Sequence, residues 1–352
     1  MNSGINHYLE PNEDPKYSYI EVSLPESEYY EYLKNKSDCI ETAYIHHPGA
    51  REIIFELIEP EILFLSKTIK GNYLLQEIMK LTPWKSKKIL FKLKGSIKEL
   101  SLHEHGTFVI QLLIEKINNY DDILNELKGH YYELIKDQNG NRSVQALIKQ
   151  NKKGNEEIYE EIKDKICDLA KNEYGCYVLQ ELLKNCNEKT FNEIYKVTKE
   201  NIENLITDES GNYLVQYFLE IEFENKKEYL DKIYKTIIGH IFDYSKDKIG
   251  SRIIQKILKL GGDIQRNNII NEILNFENMH HGCLAFLSKD KYGNHVVQSL
   301  LRFSKKSTKD KIAKIIKSDP GVQRFEGYSL HVLEYIEQIE KNKYKIFFSN
   351  LI

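Results

Sequence analysis

The chain has 352 residues, of which 41% are hydrophobic and 29% charged, a composition that favours a folded core over wholesale disorder. Its net charge of -3 and pI near 6.4 lack the basic footprint of proteins that bind nucleic acid mainly through phosphates. The five scattered cysteines, the lack of a long apolar run and the lack of a charged-then-apolar leader argue against a disulfide framework, a membrane span and secretion.

The first 26 residues carry Pro11, Pro15 and Pro25 among polar and acidic residues and show no sustained helical period. They predict a flexible N-terminal tail. From about Glu26 onward helical spacing dominates, so residues 27–352 are expected to form one domain of helical repeats. The segment SDCIE (37–41) is expected to be a weak first repeat, because it lies one repeat length before the first clear copy.

A six-residue motif that begins with glycine and ends with glutamine recurs along the rest of the chain. Seven of the twelve glutamines follow a glycine by five places, whereas random placement would give fewer than about one such coincidence. Successive copies are 34 to 43 residues apart, which is typical of helix-turn-helix repeats. The copies are GNYLLQ (71–76), GTFVIQ (106–111), GNRSVQ (140–145), GCYVLQ (175–180), GNYLVQ (211–216), GSRIIQ (250–255) and GNHVVQ (293–298).

Each copy predicts two amphipathic helices and no strand. Apolar residues recur one helical turn apart within and after the motif, and again in the stretch before it, as in Ile158–Leu169. Apolar alternation at period two is absent between the motifs. A side chain that can cap a helix stands three residues before most of the glycines, although His103 breaks the pattern. The predicted caps are Thr68, Asp137, Asn172, Asp208, Asp247 and Asp290.

The last copy is followed by SLHVLE (329–334), which lacks the glycine and predicts a C-terminal end cap. Two helices cannot bury both of their apolar faces alone. The units are therefore expected to stack into an all-α solenoid of about eight repeats.

Three positions of each motif suit single-stranded RNA. The residue after glycine and the final glutamine lie four apart, so both polar side chains are expected to project from one helix face. The second residue after the glycine, here called the second position, is always tyrosine, phenylalanine, arginine or histidine. Such flat groups stack on bases. A glutamine amide offers one acceptor and two donors to the edge of an unpaired base. Asparagine beside it suits uracil, whereas cysteine or serine leaves room for a purine.

These motifs resemble the RNA-reading helices of PUF (Pumilio) proteins over residues 27 to about 345. The long interval 251–294 and the trailing YSLHVLEYIE are also similar to that family. The resemblance implies a curved, right-handed α-solenoid in which each repeat binds one base of an antiparallel RNA. It further implies that Asn with Gln selects U, that Cys or Ser with Gln selects A, and that Ser with Glu selects G.

Carried to this chain, the resemblance implies the site 5′-UAUAU(A)U(G). Gln255 stands where a guanine-reading repeat has glutamate, so the second base stays open between A and the G of the family's usual UGU opening. The base bound by the Thr107 repeat also stays open, with A as the candidate. From the first base to the last, the predicted RNA-binding residues are Asn294, His295 and Gln298; Ser251, Arg252 and Gln255; Asn212, Tyr213 and Gln216; Cys176, Tyr177 and Gln180; Asn141, Arg142 and Gln145; Thr107, Phe108 and Gln111; Asn72, Tyr73 and Gln76; and, in the degenerate repeat, Ser37, Asp38 and Glu41.

The same resemblance implies a monomeric, cytoplasmic regulator that binds 3′ untranslated regions of mRNA and represses translation or promotes decay through protein effectors on its convex face. Two alternatives stay open: a nucleolar PUF-like factor in ribosomal RNA processing, and a protein-binding helical scaffold without an RNA role. Relatives of the first kind tend to have more repeats and degraded triplets, so seven intact triplets favour the regulator.

No cofactor, metal or enzymatic activity is expected. The histidine groups His46–His47, His103/His105 and His280–His281 lack cysteine or acidic partners at ligand spacing. No Walker-type loop, G-x-S-x-G or H-E-x-x-H occurs. The lysine-rich stretch with Lys85, Lys87 and Lys88 is expected to be a solvated helix face, with neutralisation of phosphate by some of these lysines as the alternative.

Overall fold

The computed structural model describes residues 26–151, 154–221, 226–324 and 327–349, and the side chains of 35–341 within those ranges. The predicted flexible tail lies outside the described residues except for Glu26, where the first helix begins. Every regular element in the described ranges is helical, as the sequence predicts. The chain divides into two compact units, Met1–Ile162 and Lys163–Ile352.

The first unit contains eleven of the described α-helices and three short 3-10 helices, at Pro48–Ala50, Glu59–Glu61 and Pro83–Lys85. The α-helices are α1 Glu26–His46, α2 Arg51–Ile58, α3 Ile62–Ser66, α4 Ile69–Leu81, α5 Ser86–Leu93, α6 Ile97–Leu102, α7 Gly106–Lys116, α8 Asp121–Leu127, α9 Tyr131–Lys136, α10 Gly140–Gln150 and α11 Asn155–Ile162.

The second unit begins with a 3-10 helix at Lys163–Lys165 and contains the remaining thirteen described α-helices. These are α12 Ile166–Lys171, α13 Gly175–Asn185, α14 Glu188–Glu200, α15 Ile202–Leu205, α16 Gly211–Glu220, α17 Lys226–Ile237, α18 Ile241–Lys246, α19 Gly250–Leu260, α20 Asp263–Met279, α21 Cys283–Lys289, α22 Gly293–Phe303, α23 Lys306–Ser318 and α24 Tyr328–Ser349.

Each of the seven clear repeats has three helices, which corrects the expected two. In chain order they are an outer helix, a short helix and the helix that carries the six-residue motif, here called the reading helix. The stretch Ile158–Leu169, expected to be one helix, is divided between α11 and α12 by the 3-10 turn Lys163–Lys165. In the repeat before it, Gly129 separates α8 from α9 with a φ of 79°, a left-handed conformation that glycine adopts without strain.

Reading helices pack on their neighbours within each unit. In the first unit α1 contacts α4, α4 contacts α7 and α7 contacts α10; in the second, α13, α16, α19, α22 and α24 contact one another in that order. The two residues before each glutamine are fully buried in these contacts. They are aliphatic in six motifs, as in Leu74 and Leu75, and are Ser143 and Val144 in the seventh. Helix α24 covers α22 at the C-terminal end, which confirms the predicted end cap.

A glutamate from the next outer helix holds the turn between outer and short helices. Glu161 accepts hydrogen bonds from the backbone amides of Gly129 and Tyr131, each at 2.7 Å. Glu126 does the same for Gly95 and Ile97, and Glu272 for Gly239 and Ile241. Each pair of bonds joins two successive repeats and satisfies amides at the start of a helix. No local sequence pattern predicts these glutamates.

Replacing Glu161 with glutamine is expected to destabilise the chain. A neutral amide keeps one acceptor oxygen but turns the other into a donor that faces a backbone N–H, so one bond is lost and the charge assistance of the other disappears. The expected loss is about 1–3 kcal/mol, measured as a lower urea midpoint. Glu115→Gln is the matched control, because Glu115 is exposed and makes no ion pair with residues that the structure describes. Equal effects of the two substitutions would contradict this role.

Candidate nucleic-acid interface

The predicted caps begin the reading helices as expected. Asp137 Oδ1 accepts hydrogen bonds from the amides of Asn139 and Gly140, at 2.8 and 2.7 Å. Asn172, Asp208, Asp247 and Asp290 accept two amides in the same way, and the hydroxyl of Thr68 accepts one. These bonds fix where the first turn of each reading helix starts.

His103, which departs from the capping pattern in sequence, does the same task with its ring. Its Nδ1 accepts hydrogen bonds from the amides of His105 and Gly106, at 3.1 and 3.3 Å. Burial, and then the neighbouring His105, lower the pKa of His103. The ring is therefore neutral at physiological pH and its Nδ1 can accept.

The motif glycine lets the reading helix approach the short helix before it. A Cβ added to Gly140 would lie 2.7 Å from the carbonyl oxygen of Leu134, closer than a carbon and an oxygen can approach. At Gly250 the corresponding distance to the carbonyl oxygen of Tyr244 is 2.6 Å. The glycine therefore sets the position of the residues that follow it in the motif.

The first residue of each triplet is buried, contrary to the expectation that it projects. Exposure at this position is only 0 to 5% in all eight repeats, whereas the glutamines are mostly half-buried and the second-position residues are all exposed. In the seven glutamine triplets the accessible part is thus the flat side chain and, except at Gln216, which is 8% exposed, the glutamine. The first residue acts from beneath the glutamine.

In the four asparagine repeats the two amides of the triplet form a fixed pair. Gln76 Nε2 donates to Asn72 Oδ1 at 2.9 Å, and Gln145 Nε2 donates to Asn141 Oδ1 at the same distance. The asparagine in turn donates to the backbone carbonyl of the cap residue, as from Asn141 to Asp137 at 2.7 Å. The pairs Gln216–Asn212 and Gln298–Asn294 repeat this arrangement. Each glutamine keeps its Oε1 and one N–H for a ligand.

In the other three glutamine triplets the glutamine amide has a different hydrogen-bond partner or none. Gln111 donates to the hydroxyl of Thr107 at 3.2 Å, and that hydroxyl donates to the carbonyl of Asn139 at 3.1 Å. Gln255 donates to the backbone carbonyl of Ser251 at 3.1 Å. The amide of Gln180 makes no hydrogen bond to any described residue. Beside it, burial raises the pKa of Cys176 to about 11, so this small side chain stays a neutral thiol.

Two pairs of second-position side chains from successive repeats lie against one another. The rings of Tyr177 and Tyr213 are 6.3 Å apart between centroids and inclined by only 29°. In the first unit the guanidinium of Arg142 lies 5.5 Å from the centroid of the Phe108 ring. A base that stacks between Tyr177 and Tyr213 needs two spacings of about 3.4 Å, so a slight outward movement of the rings would admit it.

Three predicted residues of one repeat share a pocket with the next repeat. A pocket of about 400 Å³ is lined by Ser251, Arg252 and Gln255 of α19, by His295 of α22 and by Tyr328 of α24. Lys248 and Lys291, which each stand four residues before the second position, also line it. The sequence prediction did not include Tyr328 or the two lysines. The two lysines could have been predicted, because each stands four residues before the second position of its repeat.

The degenerate first repeat reproduces the exposure pattern of the others. In α1, Ser37 is buried, Asp38 is exposed and Glu41 is half-buried. Burial, followed by repulsion from Glu77 and Asp38, raises the pKa of Glu41. The three positions of this triplet therefore have the same exposure as those of the other repeats, although the residue types differ. Its assignment to G stays a prediction, as do the RNA-binding roles of the other seven triplets.

Comparison with known proteins identifies the family. Residues 70–319 match the family model described as a NOP9-like PUF repeat domain. The chain belongs to the PUF repeat family. Among curated relatives, a PUF protein of Arabidopsis thaliana, Pumilio homolog 12, is 26% identical over 64% of this chain and 39% of its own length. Pumilio homology domain family member 4 of Saccharomyces cerevisiae is 32% identical over 44% of this chain and 17% of its own length. The chain therefore spans less than half the length of these relatives.

Solved PUF structures share the fold over most of the chain. The Puf3 RNA-binding domain bound to Cox17 RNA 3′ UTR recognition site A has a TM-score of 0.75, with 25% identity over 91% of this PUF chain and 96% of that one. The Puf4 RNA-binding domain bound to the HO endonuclease RNA 3′ UTR sequence has a TM-score of 0.68, with 26% identity and coverage of 87% and 95%. Both support an RNA-binding PUF fold and the all-α repeat class predicted from the sequence.

Within the described residues, no three histidine, cysteine or acidic side chains group as metal ligands. No helix in the same part of the PUF chain is long and apolar enough to cross a membrane.

Proposed function

We propose that this PUF protein binds single-stranded RNA of sequence 5′-UAUAU(A)U(G), one base per repeat, and regulates mRNAs through their 3′ untranslated regions. The observation that carries the proposal is the repeated pair of a half-buried glutamine amide and an exposed flat side chain, with neighbouring flat groups in contact. Flat groups stack on unpaired bases and the amides bind their edges.

The base assigned to each repeat follows from what lies under the glutamine. A free Oε1 and N–H can meet the N3–H and a carbonyl of uracil, but they can equally meet the N6–H and N1 of adenine. The glutamine alone does not choose between them. An asparagine beneath it fills the space that a purine would need and turns the glutamine by a hydrogen bond; a cysteine or serine leaves that space open.

In vitro selection from random RNA tests the target. The enriched sequences are expected to carry U at the first, third, fifth and seventh positions, with A at the fourth. Direct binding of the selected RNA by fluorescence anisotropy is the confirming measurement. Failure to enrich any RNA would favour the alternative of a protein-binding scaffold, and enrichment without alternating U would reject the base assignments.

A second candidate function is supported by the family model itself, whose description is NOP9-like. It is a nucleolar role in ribosomal RNA processing. Cross-linking and sequencing of RNA bound in cells, together with fluorescence microscopy of the tagged chain, separates the two. Cytoplasmic signal and reads in mRNA 3′ untranslated regions support the regulator, whereas nucleolar signal and pre-ribosomal RNA reads support the second candidate.

The proposed regulator is a non-enzymatic, cytoplasmic monomer without a cofactor. Repression of translation or promotion of decay would come from protein effectors that it recruits to the bound mRNA. A reporter mRNA that carries the selected site is expected to give less protein in the presence of the chain than a reporter with the site scrambled.

A further inference from the structure

The outer helix α5 and the turn before it carry a basic and aromatic surface that the triplets do not use. Between Trp84 and Ser96 the chain has five lysines and no acidic residue. Contrary to the expectation of a solvated face, Lys85 is only 3% exposed and pairs with Glu52, and Lys92 pairs with Glu59. The surface charge that is left belongs to Lys87, Lys88 and Lys94. Trp84, the single tryptophan, is 70% exposed, and Phe91 is 69% exposed. Phe91 is the one that lines a groove, and a large exposed aromatic side chain beside an apolar groove marks a binding surface.

Phe91 borders a groove of about 370 Å³ between α5 and the loop that follows α7. Leu90 and Ile117, each less than a tenth exposed, give the groove an apolar lining. Lys87, Phe91 and Lys94 are spaced by four and three residues, so they share one face of α5. The polar residues around the groove are Lys87, Lys94, Asn118, Asn119 and Asp122.

The charge of this groove is not balanced. Lys94 pairs with Asp122 at 2.9 Å across it. Lys87 is exposed and makes no ion pair with any residue in the described part of the chain. A cation beside an apolar groove complements a ligand that carries a carboxylate next to an apolar side chain.

We propose that this groove binds an acidic linear peptide of a partner protein. An aromatic or aliphatic side chain of the peptide lies against Phe91 and Leu90, and a neighbouring carboxylate pairs with Lys87. The amide of Asn118 donates and accepts at the peptide backbone, and Asn119, whose Oδ1 accepts from the Asp121 amide, donates through its Nδ2. The peptide would belong to the effector protein of the regulator proposed above. This effector role rests on the proposed function, whereas peptide binding itself does not.

The groove is separate from the candidate RNA interface. The triplet of α7 ends at Gln111, and Ile117 lies six residues later, which is about 9 Å along a helix. Peptide binding is therefore measured with the full chain in the absence of RNA. Its failure and the failure of RNA binding are then distinguishable.

Phage-displayed random dodecapeptides, panned on the full chain, provide the probe. The enriched peptides are expected to combine aspartate or glutamate with one aromatic or aliphatic anchor. A synthetic copy is titrated by the emission of Trp84, which lies three residues before Lys87, and by the anisotropy of a label on the peptide. Enrichment of peptides without acidic residues, or of none, would overturn the proposal.

Matched variants identify the surface. Lys87→Glu and Phe91→Ala are each expected to weaken peptide binding at least about tenfold. Lys149→Glu should leave it unchanged, because Lys149 is another exposed lysine without an ion pair among the described residues. Equal weakening by Lys87→Glu and Lys149→Glu would reject the site. So would loss of RNA affinity in Lys87→Glu, which would assign the surface to RNA, or a dimer that Phe91→Ala dissociates, which would assign it to a second copy.

Discussion

Exchanging Cys176 for asparagine is expected to change the preferred fourth base from A to U. In the four asparagine repeats this side chain donates to the carbonyl of the cap residue and accepts from the glutamine. The cap Asn172 and the unpaired Gln180 offer both partners at this repeat. The larger amide would occupy the space left for a purine, and Gln180 would turn toward it. Discrimination of one base is worth about 1–3 kcal/mol, or roughly tenfold to more than a hundredfold in relative affinity.

Fluorescence anisotropy with two RNAs that differ only at the fourth base measures this exchange. Cys176→Ser is the matched control, since a hydroxyl of similar size leaves the purine space open and should keep the preference for A. Substitutions at the other positions of the RNA should act as in the unmodified chain. If Cys176→Asn weakened binding to both RNAs by the same factor, the one-repeat, one-base mechanism would be wrong for this chain.

The repeats and their register were predictable because a short local pattern carries them. The glycine, the capping side chain three residues before it and the glutamine five residues after it all lie within nine consecutive residues. Their structural roles are local as well: the caps bind the first amides of the reading helix, and the glycine admits the carbonyl of the preceding short helix. Such contacts depend little on the rest of the fold.

The features that the sequence did not predict depend on long-range contacts, or on an unusual functional group that takes a familiar role. Glu161 accepts hydrogen bonds from backbone amides about 30 residues away in the sequence, and no local pattern predicts that pairing. His103 caps its helix through a ring nitrogen, which requires a neutral ring that only burial ensures. In four repeats the break between the outer and the short helix is a glycine with a positive φ, as at Gly129, in a segment that also suits a continuous amphipathic helix. In another repeat the 3-10 turn Lys163–Lys165 makes this break without a glycine.

Burial of the first triplet position changes how the site is understood. We expected two polar tips to project side by side, but helix packing leaves the first one 0 to 5% exposed. Side chains four residues apart do share a helix face, yet the one nearer the helix start is buried. In the asparagine repeats its amide bonds to the cap carbonyl and to the glutamine of the same repeat. The first residue is therefore expected to act by shape and by orienting the glutamine, while the exposed flat group provides most of the contact area with RNA.

Removing both rings of the Tyr177–Tyr213 pair is expected to cause the largest loss of RNA affinity. Stacking of one base on one aromatic ring contributes about 1–3 kcal/mol. Tyr177→Ala and Tyr213→Ala should each weaken binding by roughly tenfold to a hundredfold. The centroids of the two rings are 6.3 Å apart, so both rings would stack on the same base. The double substitution should therefore reduce the binding free energy by less than the sum of the two single substitutions.

A double-mutant cycle measured by anisotropy gives this coupling directly. Tyr177→Phe and Tyr213→Phe are the matched controls, because they keep the ring faces and remove only the hydroxyls; affinity should change little. Both tyrosines are exposed, so the alanine variants should retain the urea midpoint of the unmodified chain. Strict additivity of the two alanine substitutions would mean that the rings contact different bases. An unchanged affinity in the double variant would show that the bases do not stack here, and the flat residues of the other repeats would then need another explanation.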